Sequence, residues 1–402
     1  IGFGAEGSGI ANRIGPFPAG LGVNIHFADP RPGEMKMLAE AGFTWVRMDF
    51  NWGATERKQG EYDFAAYDRL LSALDEYHIH PIFILDYSNR NYDDDQSPHT
   101  DEGRAAFARW AAAAATHFKG RGVIWEMYNE PNIGFWKPKP NVDDYAKLAL
   151  AVGKALREAT PDEPYIGPAC STMDFKFLDA CFKAGCLEYW SAVSVHPYRQ
   201  KDPETVAADY AKLRELIKQY APAGKQIPII SGEWGYSAGW KKFDEARQAK
   251  YLPRGLLTNV ASGLPISIWY DWHDDGTNAS DGEHHFGTVH YEYHKGREEV
   301  YDPKPAYVAM KTMADALRGS TFEKRLDVGS NADWVLAFKA DDGERFAVWT
   351  TGKPHDVKLP APPGKYRVIA PGQEQGKDAT ADANGLMIQA TETPQYLLKS
   401  GR

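Results

Sequence analysis

Residues 123–132 read VIWEMYNEPN, a short apolar run that ends abruptly at Asn129-Glu130-Pro131. Residues 229–235 follow the same pattern as IISGEWG, where the run ends at Glu233 and a glycine follows within two residues. A short run that is apolar along its whole length is typical of a strand buried on both faces of a parallel sheet. Each glutamate then lies where a buried strand meets a loop. A carboxylate in that position is costly to bury unless its charge is used or its pKa is moved.

Runs of the same kind alternate with amphipathic helical patterns up to about residue 320. The predicted strands are 22–27, 44–49, 81–86, 123–129, 165–169, 192–196, 228–233 and 265–271. The predicted helices are 63–78, 100–118, 142–159, 205–220, 244–262 and 304–317. Parallel strands need crossover helices, and eight strand–helix pairs close a (β/α)8 TIM barrel of the α/β class. A doubly wound open sheet competes with this fold, but no glycine-rich phosphate turn follows the first strand.

The composition changes after Gly319. Short alternating runs at 334–339, 345–350, 355–359, 366–369, 386–390 and 395–398 are separated by Asp-Asp-Gly, Pro-Pro-Gly and Asn-Gly turns. This pattern predicts a small C-terminal antiparallel β-sandwich. The predicted organisation is therefore an N-terminal segment (1–19) that packs on the sandwich, a barrel (20–319) and a β-sandwich (320–402).

Charge and hydropathy exclude several classes of partner. The chain has 402 residues and a net charge of -9, and the absence of a basic patch argues against nucleic acid. No run of 18 or more apolar residues is present, so no membrane span is expected. Cys170, Cys181 and Cys186 are predicted to be buried thiols, because their number and spacing suit neither a disulfide framework nor a zinc site. We expect a monomer that is periplasmic or secreted; no signal peptide is visible, but a chain starting without Met is compatible with a processed N-terminus.

Polar and aromatic residues gather at the predicted carboxyl ends of the strands, where the functional groups of a barrel collect. Trp136 follows Glu130 in a loop, and its flat ring suits stacking on a sugar. The residues at the strand ends are Asn24, His26, Arg47, Asp49, Asp86, Asn129, Glu130, His196, Tyr198, Glu233, Trp269, Asp271, Trp272 and His273.

Two carboxyl groups that face each other supply the chemistry of glycoside cleavage. One donates a proton to the departing oxygen and the other stabilises or attacks the sugar carbon, with the carboxyls roughly 5–5.5 Å apart in retaining enzymes. Asn129 could bond the sugar 2-hydroxyl, and Arg47 and Tyr198 could bond the anionic carboxylate and keep it charged. The pattern does not decide which glutamate takes which role. This chemistry needs no metal or cofactor, and none is predicted.

Structural roles compete with these functional ones. Arg47 could form an ion pair with Asp49 or Glu233, and His196 could be a hydrogen-bonded wall residue. Trp269 and Trp272 could pack the barrel, Trp272 more readily than Trp269.

The paired motifs resemble those of the clan A glycoside hydrolases. The resemblance is greatest to family 39, through GVNIHF (22–27), WVRMD (45–49), SVHPY (194–198), WYDWHDDG (269–276) and EHHFG (283–287). It implies that Glu130 is the acid/base, that Glu233 is the nucleophile, and that Arg47, Asn129, His196, Tyr198 and Trp269 support them, with Trp269 as a sugar platform.

The resemblance extends to a bacterial glycosidase that trims a mannose-rich biofilm exopolysaccharide and also joins a barrel to a β-sandwich. It therefore implies a retaining glycoside hydrolase with a carbohydrate substrate, endo-acting on a β-linked polysaccharide or oligosaccharide. The long insertions of family 39 xylosidases are not evident. A β-xylosidase-like exo-enzyme and a non-catalytic carbohydrate-binding protein remain the alternatives.

Overall fold

Eight parallel strands close into a barrel in the computed structural model, which describes residues 10, 15–373 and 375–400. The order of the strands around the barrel is their order in the chain. The predicted TIM barrel is confirmed, and the predicted strand boundaries differ from those of the structure by a few residues. The strands are β1 Leu21–Asn24, β2 Trp45–Asn51, β3 His80–Asp86, β4 Ile124–Met127, β5 Tyr165–Ser171, β6 Ala192–His196, β7 Ile229–Trp234 and β8 Ser267–Trp269.

Helices connect the strands on the outside of the barrel. All six predicted helices are present, and their amphipathic faces pack on the strands. Three further helices, α1, α2 and α6, were not predicted, because elements of 4–9 residues make too few turns to show a helical period. The helices are α1 Glu34–Glu40, α2 Trp52–Thr55, α3 Ala65–Glu76, α4 Asp101–His117, α5 Val142–Ala159, α6 Phe175–Lys183, α7 Val206–Tyr220, α8 Glu245–Ala261 and α9 Pro305–Leu317.

The barrel interior changes from apolar to polar along the strands. Large apolar side chains fill its amino-terminal end. Because side chains alternate between the faces of a strand, the next inward positions lie two residues further on, at Arg47 after Trp45 and at Glu126 after Ile124. The interior therefore becomes polar towards the carboxyl ends of the strands. The apolar cluster consists of Ile10, Trp45, Ile82, Ile124, Ile166, Ala192, Ile230, Ile266 and Ile268.

The C-terminal part of the chain forms antiparallel sheets, as predicted. One sheet has the order β11-β12-β13-β18-β15-β16, and the other pairs β14 with β17. Val335 and Val348 of the larger sheet share a buried cluster with Val357 and Ile388 of the smaller one. β11, β16 and a hairpin of β9 with β10 were not predicted. The strands are β9 Val289–Tyr293, β10 Tyr301–Pro303, β11 Thr321–Arg325, β12 Asp333–Ala340, β13 Gly343–Thr350, β14 His355–Leu359, β15 Gly364–Ile369, β16 Lys377–Ala381, β17 Leu386–Ala390 and β18 Gln395–Lys399.

The barrel and the C-terminal sheets meet through a buried polar contact. Arg254 of α8 bonds Glu204 twice, at 2.7 and 2.8 Å, and the indole N–H of Trp349 on β13 donates to the same carboxylate at 2.6 Å. These side chains are buried, so the two parts are joined by a charge-assisted network as well as by apolar contact.

The N-terminal segment contacts both parts where the structure describes it. Ile10 lies in the apolar cluster of the barrel. Phe17 exchanges backbone hydrogen bonds with the chain at residues 319 and 320, and its ring lies 6.0 Å from that of Phe338 on β12. Residues 1–9 and 11–14, on which most of the predicted packing against the sandwich depends, lie outside the described residues.

Two predictions from composition can be compared with the structure. All three cysteines are buried free thiols, as predicted. Among the described residues, no helix has both the length and the apolar character needed to cross a membrane.

Candidate active site

A single buried arginine organises the polar groups at the carboxyl end of the barrel. The Nε of Arg47 donates to Glu126 at 2.5 Å, and its Nη1 donates to Glu233 at 2.7 Å. Nη1 also lies 3.3 Å from Asn24 Oδ1, and Nη2 lies 2.8 Å from Asn129 Oδ1. Burial lowers the pKa of Arg47, but the charges of Glu126 and Glu233 outweigh it and raise that pKa overall. The guanidinium therefore stays charged and fixes groups from β1, β7 and the region of β4.

Glu233, near the end of β7, is held by two donors from different strands. The phenol of Tyr198 donates to Oε1 at 2.7 Å, while Arg47 bonds Oε2. Burial, followed by the charge of Glu233, raises the pKa of Tyr198 well above its usual value, so the phenol keeps its proton. Two donors, one of them cationic, stabilise the charged form of the carboxylate. Such a carboxylate is held in the form and orientation that nucleophilic attack requires.

Glu130 occupies a different environment immediately after β4. Its φ is 45° and that of Tyr128 is 63°, a left-handed conformation that is uncommon for residues with a β-carbon. Burial raises the pKa of the Glu130 carboxyl above its usual value, although a hydrogen bond from Ser171 and the charge of Arg47 oppose the shift. Glu130 therefore retains a proton more readily than an exposed glutamate does.

His196 links the two glutamates. Its Nδ1 lies 2.9 Å from Glu130 Oε1 and 4.0 Å from Glu233 Oε1. Burial lowers the pKa of His196 to about 4, so the imidazole is neutral near pH 7. A neutral ring can orient Glu130 without drawing off its proton.

The carboxyl groups of Glu130 and Glu233 are close together. One carboxylate oxygen of each lies within 4.8 Å of the other, and a ring nitrogen of His196 lies within the same distance of both. Carboxyl groups that pass through a covalent glycosyl intermediate lie roughly 5–5.5 Å apart, whereas a separation of about 6.5–9.5 Å leaves room for a water molecule between carboxylate and sugar. The arrangement brings Glu233, which accepts from two donors, close to Glu130, whose pKa is raised by burial.

Asn129 is fixed at both ends of its amide. Its Oδ1 accepts from Arg47, and its Nδ2 donates to the Tyr87 hydroxyl at 2.9 Å. An amide nitrogen has two N–H donors, so one remains free to bond a ligand in the cavity.

These groups open into a cavity of about 530 Å³. Most of the residues predicted from the strand ends line it. Four aromatic rings that were not predicted, Phe135, Trp240, Tyr270 and Phe286, form much of its wall, together with Tyr87 and Glu283. The predicted residues that line the cavity are Asn24, His26, Arg47, Asp49, Asn129, Glu130, Tyr198 and Glu233.

Seven of the residues predicted from the sequence do not line the cavity: His196, Asp86 and Asp271 are buried, and four others pack away from it. Trp136 is 2% exposed and packs against Tyr128 and Tyr145, so the prediction that it stacks on a sugar is wrong; its neighbour Phe135, 45% exposed, lines the cavity instead. His273 is half-buried and does not line the cavity, and its ring stacks on that of Tyr301.

The two other tryptophans pack within the barrel. Trp269 is buried and its ring lies beside Tyr236, so the predicted sugar platform is absent there and Tyr270 faces the cavity. Trp272 is buried and donates its N–H to Glu34 at 3.1 Å, the packing role that was its alternative.

Burial raises the pKa of two acidic groups beside the cavity. Burial, then the charge and hydrogen bond of Asp49, raises the pKa of Asp86 well above its usual value. Asp271 lies 3.4 Å from His26, and burial raises the pKa of Asp271 to about 7. Burial lowers the pKa of His26, but the hydrogen bond and charge of Asp271 outweigh it and raise that pKa to about 9.

Sequence reasoning missed Glu126, the second carboxylate of Arg47. Glu126 lies within the motif at residues 123–132. One signal could have identified Glu126: it is two residues beyond Ile124, so its side chain lies on the same face of β4 as that of Ile124. The wall aromatics Tyr270 and Phe286 carried no comparable signal, because each lies in an irregular segment where no period shows the direction of a side chain.

Comparisons with known proteins agree with this geometry. A family model described as cellulase (glycosyl hydrolase family 5) matches residues 22–276. No curated protein sequence matches significantly. Among solved structures, a family 39 glycoside hydrolase from the gut symbiont Bacteroides cellulosilyticus WH2 is 24% identical, with 95% of this chain and 81% of that chain covered and a TM-score of 0.81.

Two further solved structures have a similar fold. A family 39 β-xylosidase from Caulobacter crescentus is 18% identical, with 96% of this chain and 97% of that one covered and a TM-score of 0.67. A family 30 endoxylanase from Clostridium papyrosolvens C71 is 11% identical, with coverages of 95% and 96% and a TM-score of 0.66.

Proposed function

Since the chain belongs to the cellulase family (glycosyl hydrolase family 5) and is a hydrolase of O-glycosides, we propose that it retains configuration at the sugar carbon by double displacement, with Glu233 as nucleophile and Glu130 as acid and then base. The observation that carries this proposal is the approach of the two carboxyl groups to within 4.8 Å. A separation of that size supports direct attack by a carboxylate rather than attack by a water placed between carboxylate and sugar.

The two environments support the assignment of roles. Glu233 accepts from Arg47 and Tyr198, which favours its charged form. Glu130 is buried, its pKa is raised, and its neighbour His196 is neutral. When their surroundings differ in this way, the carboxyl group that binds its proton more readily is suited to act as the acid, and the other is suited to act as the nucleophile.

The reaction then follows from these two groups. A Glu233 oxygen bonds the anomeric carbon while the bond to the leaving oxygen breaks, and Glu130 transfers its proton to that oxygen. Water next attacks the same carbon and gives a proton to Glu130, while the bond to Glu233 breaks and restores its carboxylate. The free N–H of Asn129 bonds the sugar 2-hydroxyl, an interaction that strengthens in the transition state.

The proposed substrate is a β-linked polysaccharide or oligosaccharide that is cleaved internally. The support is the shape of the site, because the 530 Å³ cavity has exposed aromatic walls and adjoins a second cavity, so that it can hold more than one sugar. A polymer of this kind, such as a bacterial exopolysaccharide, lies outside the cytoplasm, which is why we propose a periplasmic or secreted enzyme.

The test is chemical rescue of a variant that lacks the nucleophile. We expect Glu233→Ala to lose turnover of an aryl β-glycoside, and azide to restore part of it with a glycosyl azide of inverted configuration as product. Tyr210→Phe, which removes a buried hydroxyl between α7 and α8, serves as the control for folding. Turnover by Glu233→Ala without azide would overturn the assignment.

The two alternatives predict different results in the same assays. A β-xylosidase-like exo-enzyme would cleave aryl xylosides but release only terminal sugars from long polymers. A carbohydrate-binding protein would bind glycans without hydrolysing any member of a broad panel.

A further inference from the structure

A second cavity of about 560 Å³ adjoins the cavity with the two glutamates. Tyr87 and Phe135 line both cavities, and their rings are stacked with centroids 5.7 Å apart. Phe135 is 45% exposed, so it offers a ring edge and face to a ligand that passes from one cavity to the other. A glycan bound across the glutamates therefore has a continuous path into the second cavity.

The second cavity is basic. Arg57, Arg90 and Lys137 line it from three different loops, after α2, β3 and β4. All three are exposed, and no side-chain atom of these three residues forms an ion pair or a hydrogen bond with any residue that the structure describes. Asp95 is the one carboxylate among the lining residues, and it accepts from Ser88 at 2.7 Å. The lining therefore carries an excess of two positive charges.

This charge contrasts with the rest of the molecule. The chain has a net charge of -9, and the cavity with the glutamates is lined by four acidic side chains, Asp49, Glu130, Glu233 and Glu283, against two basic ones, Arg47 and His26. An anionic group is repelled from the first cavity and attracted to the second. Three unpaired cations that converge from separate loops have the donors to bind a carboxylate or a sulfate.

We propose that the second cavity binds an acidic sugar residue, one that carries a carboxylate or a sulfate and lies next in the glycan chain to the sugar cleaved by Glu233. The proposal rests on the proposed function and defines its substrate class as an anionic polysaccharide. The cleaved residue itself is uncharged, because the acidic lining of the first cavity disfavours a negative group there. Tyr87 and Phe135 contact the apolar face of the chain between the two sites.

The test measures binding separately from turnover. Glu233→Gln is titrated in a calorimeter with pairs of oligosaccharides that differ only in charge: cellohexaose and its carboxymethylated and sulfated forms, and xylohexaose and its glucuronate-substituted form. The same titrations use Glu233→Gln combined with Arg57→Gln, Arg90→Gln or Lys137→Gln. Lys139→Gln is the matched control, since Lys139 is an exposed cation of the same loop as Lys137 but does not line the cavity.

We expect the acidic member of a pair to bind more tightly than the neutral one, and high salt to reduce the difference. Each cavity variant should weaken binding of the acidic member about two- to fivefold, the range of exposed ion pairs, and leave the neutral member unchanged. Lys139→Gln should change neither. The carboxylated and sulfated probes then show which anion is preferred.

Two results would overturn the proposal. The first is equal binding of the acidic and neutral members of each pair. The second is binding of free inorganic sulfate as tight as that of the acidic oligosaccharides, because the cavity would then bind anions without recognising a glycan. If the enzyme shows no preference for acidic oligosaccharides but still hydrolyses neutral ones, only the proposal for the second cavity fails. Absence of hydrolysis with the preference retained would instead contradict the proposed function.

Discussion

Replacement of Tyr198 by Phe isolates one hydrogen bond to the proposed nucleophile. The hydroxyl donates to Glu233 Oε1 at 2.7 Å, and its removal leaves the ring in place beside Phe286. A hydrogen bond to a charged group contributes about 1.5–3 kcal/mol. In the second step Glu233 departs from the sugar as an anion, so the missing donor raises that barrier by up to this amount. At 1.36 kcal/mol per factor of ten, the second step should slow by about 10- to 150-fold.

The first step should respond differently, because Glu233 loses its charge as it attacks and the donor stabilises the starting carboxylate more than the transition state. We therefore expect kcat and KM to fall together on an aryl glycoside with a good leaving group, while kcat/KM changes less. A pre-steady-state burst of aryl alcohol, close to one equivalent of enzyme, should appear. Tyr210→Phe, whose hydroxyl bonds Asn259 at 2.9 Å and does not line the cavity, should show no burst. An unchanged kcat, or an equal fall of kcat and kcat/KM without a burst, would refute the reasoning.

Three further predictions concern separate parts of the molecule. The Ser171 hydrogen bond lowers the pKa of Glu130, so Ser171→Ala should raise that pKa. Because Glu130 must be protonated to act as the acid, the alkaline limb of the kcat/KM–pH profile should move to higher pH. A move to lower pH would contradict the assignment. Phe135→Ala should raise KM for oligosaccharides about 3- to 10-fold, because aromatic contacts contribute about 0.5–1.5 kcal/mol. It should change kcat and melting temperature little, because the Phe135 ring is exposed. An unchanged KM would exclude Phe135 from substrate contact. Trp349→Phe should reduce the free energy of unfolding, measured in a denaturant titration, by about 1.5–3 kcal/mol, because it removes a donor to the buried Glu204 carboxylate. Trp334→Phe removes no such bond and serves as the control. An equal loss of stability in Trp334→Phe would assign the effect to packing.

The barrel was predictable because each of its strands carries its own signal. A strand such as β6, Ala192–His196, is short and buried on both faces, and its predicted and observed boundaries coincide. Long amphipathic helices such as α5, Val142–Ala159, show several turns of a 3.6-residue period. The edge strand β16, Lys377–Ala381, was missed because it is mostly exposed and lacks an apolar face.

The position of the two glutamates was predictable and the cavity wall was not, for a related reason. Glu130 and Glu233 each end a buried strand, so the strand pattern itself fixes where they lie. Trp136 and Phe135 are adjacent in one loop, and only the path of that loop decides which ring is buried against Tyr128 and which lines the cavity. Composition favoured the tryptophan as a sugar contact, but packing placed the phenylalanine there.

The position of Arg47 shows what local patterns leave out. Its guanidinium bonds residues from β1, β4 and β7, yet the sequence around it indicates only that it follows Trp45 on the inward face of β2. Asn24 is its partner in the ladder between β1 and β2, so that contact follows from one pair of strands. Its contacts with Glu126 and Glu233 cross the interior of the barrel, and they depend on the stagger accumulated over several strands. A single arginine between two carboxylates leaves a net negative charge, which the hydroxyl donor of Tyr198 on Glu233 helps to disperse, so the hydrogen bonding of Glu233 is a property of the closed barrel rather than of any one motif.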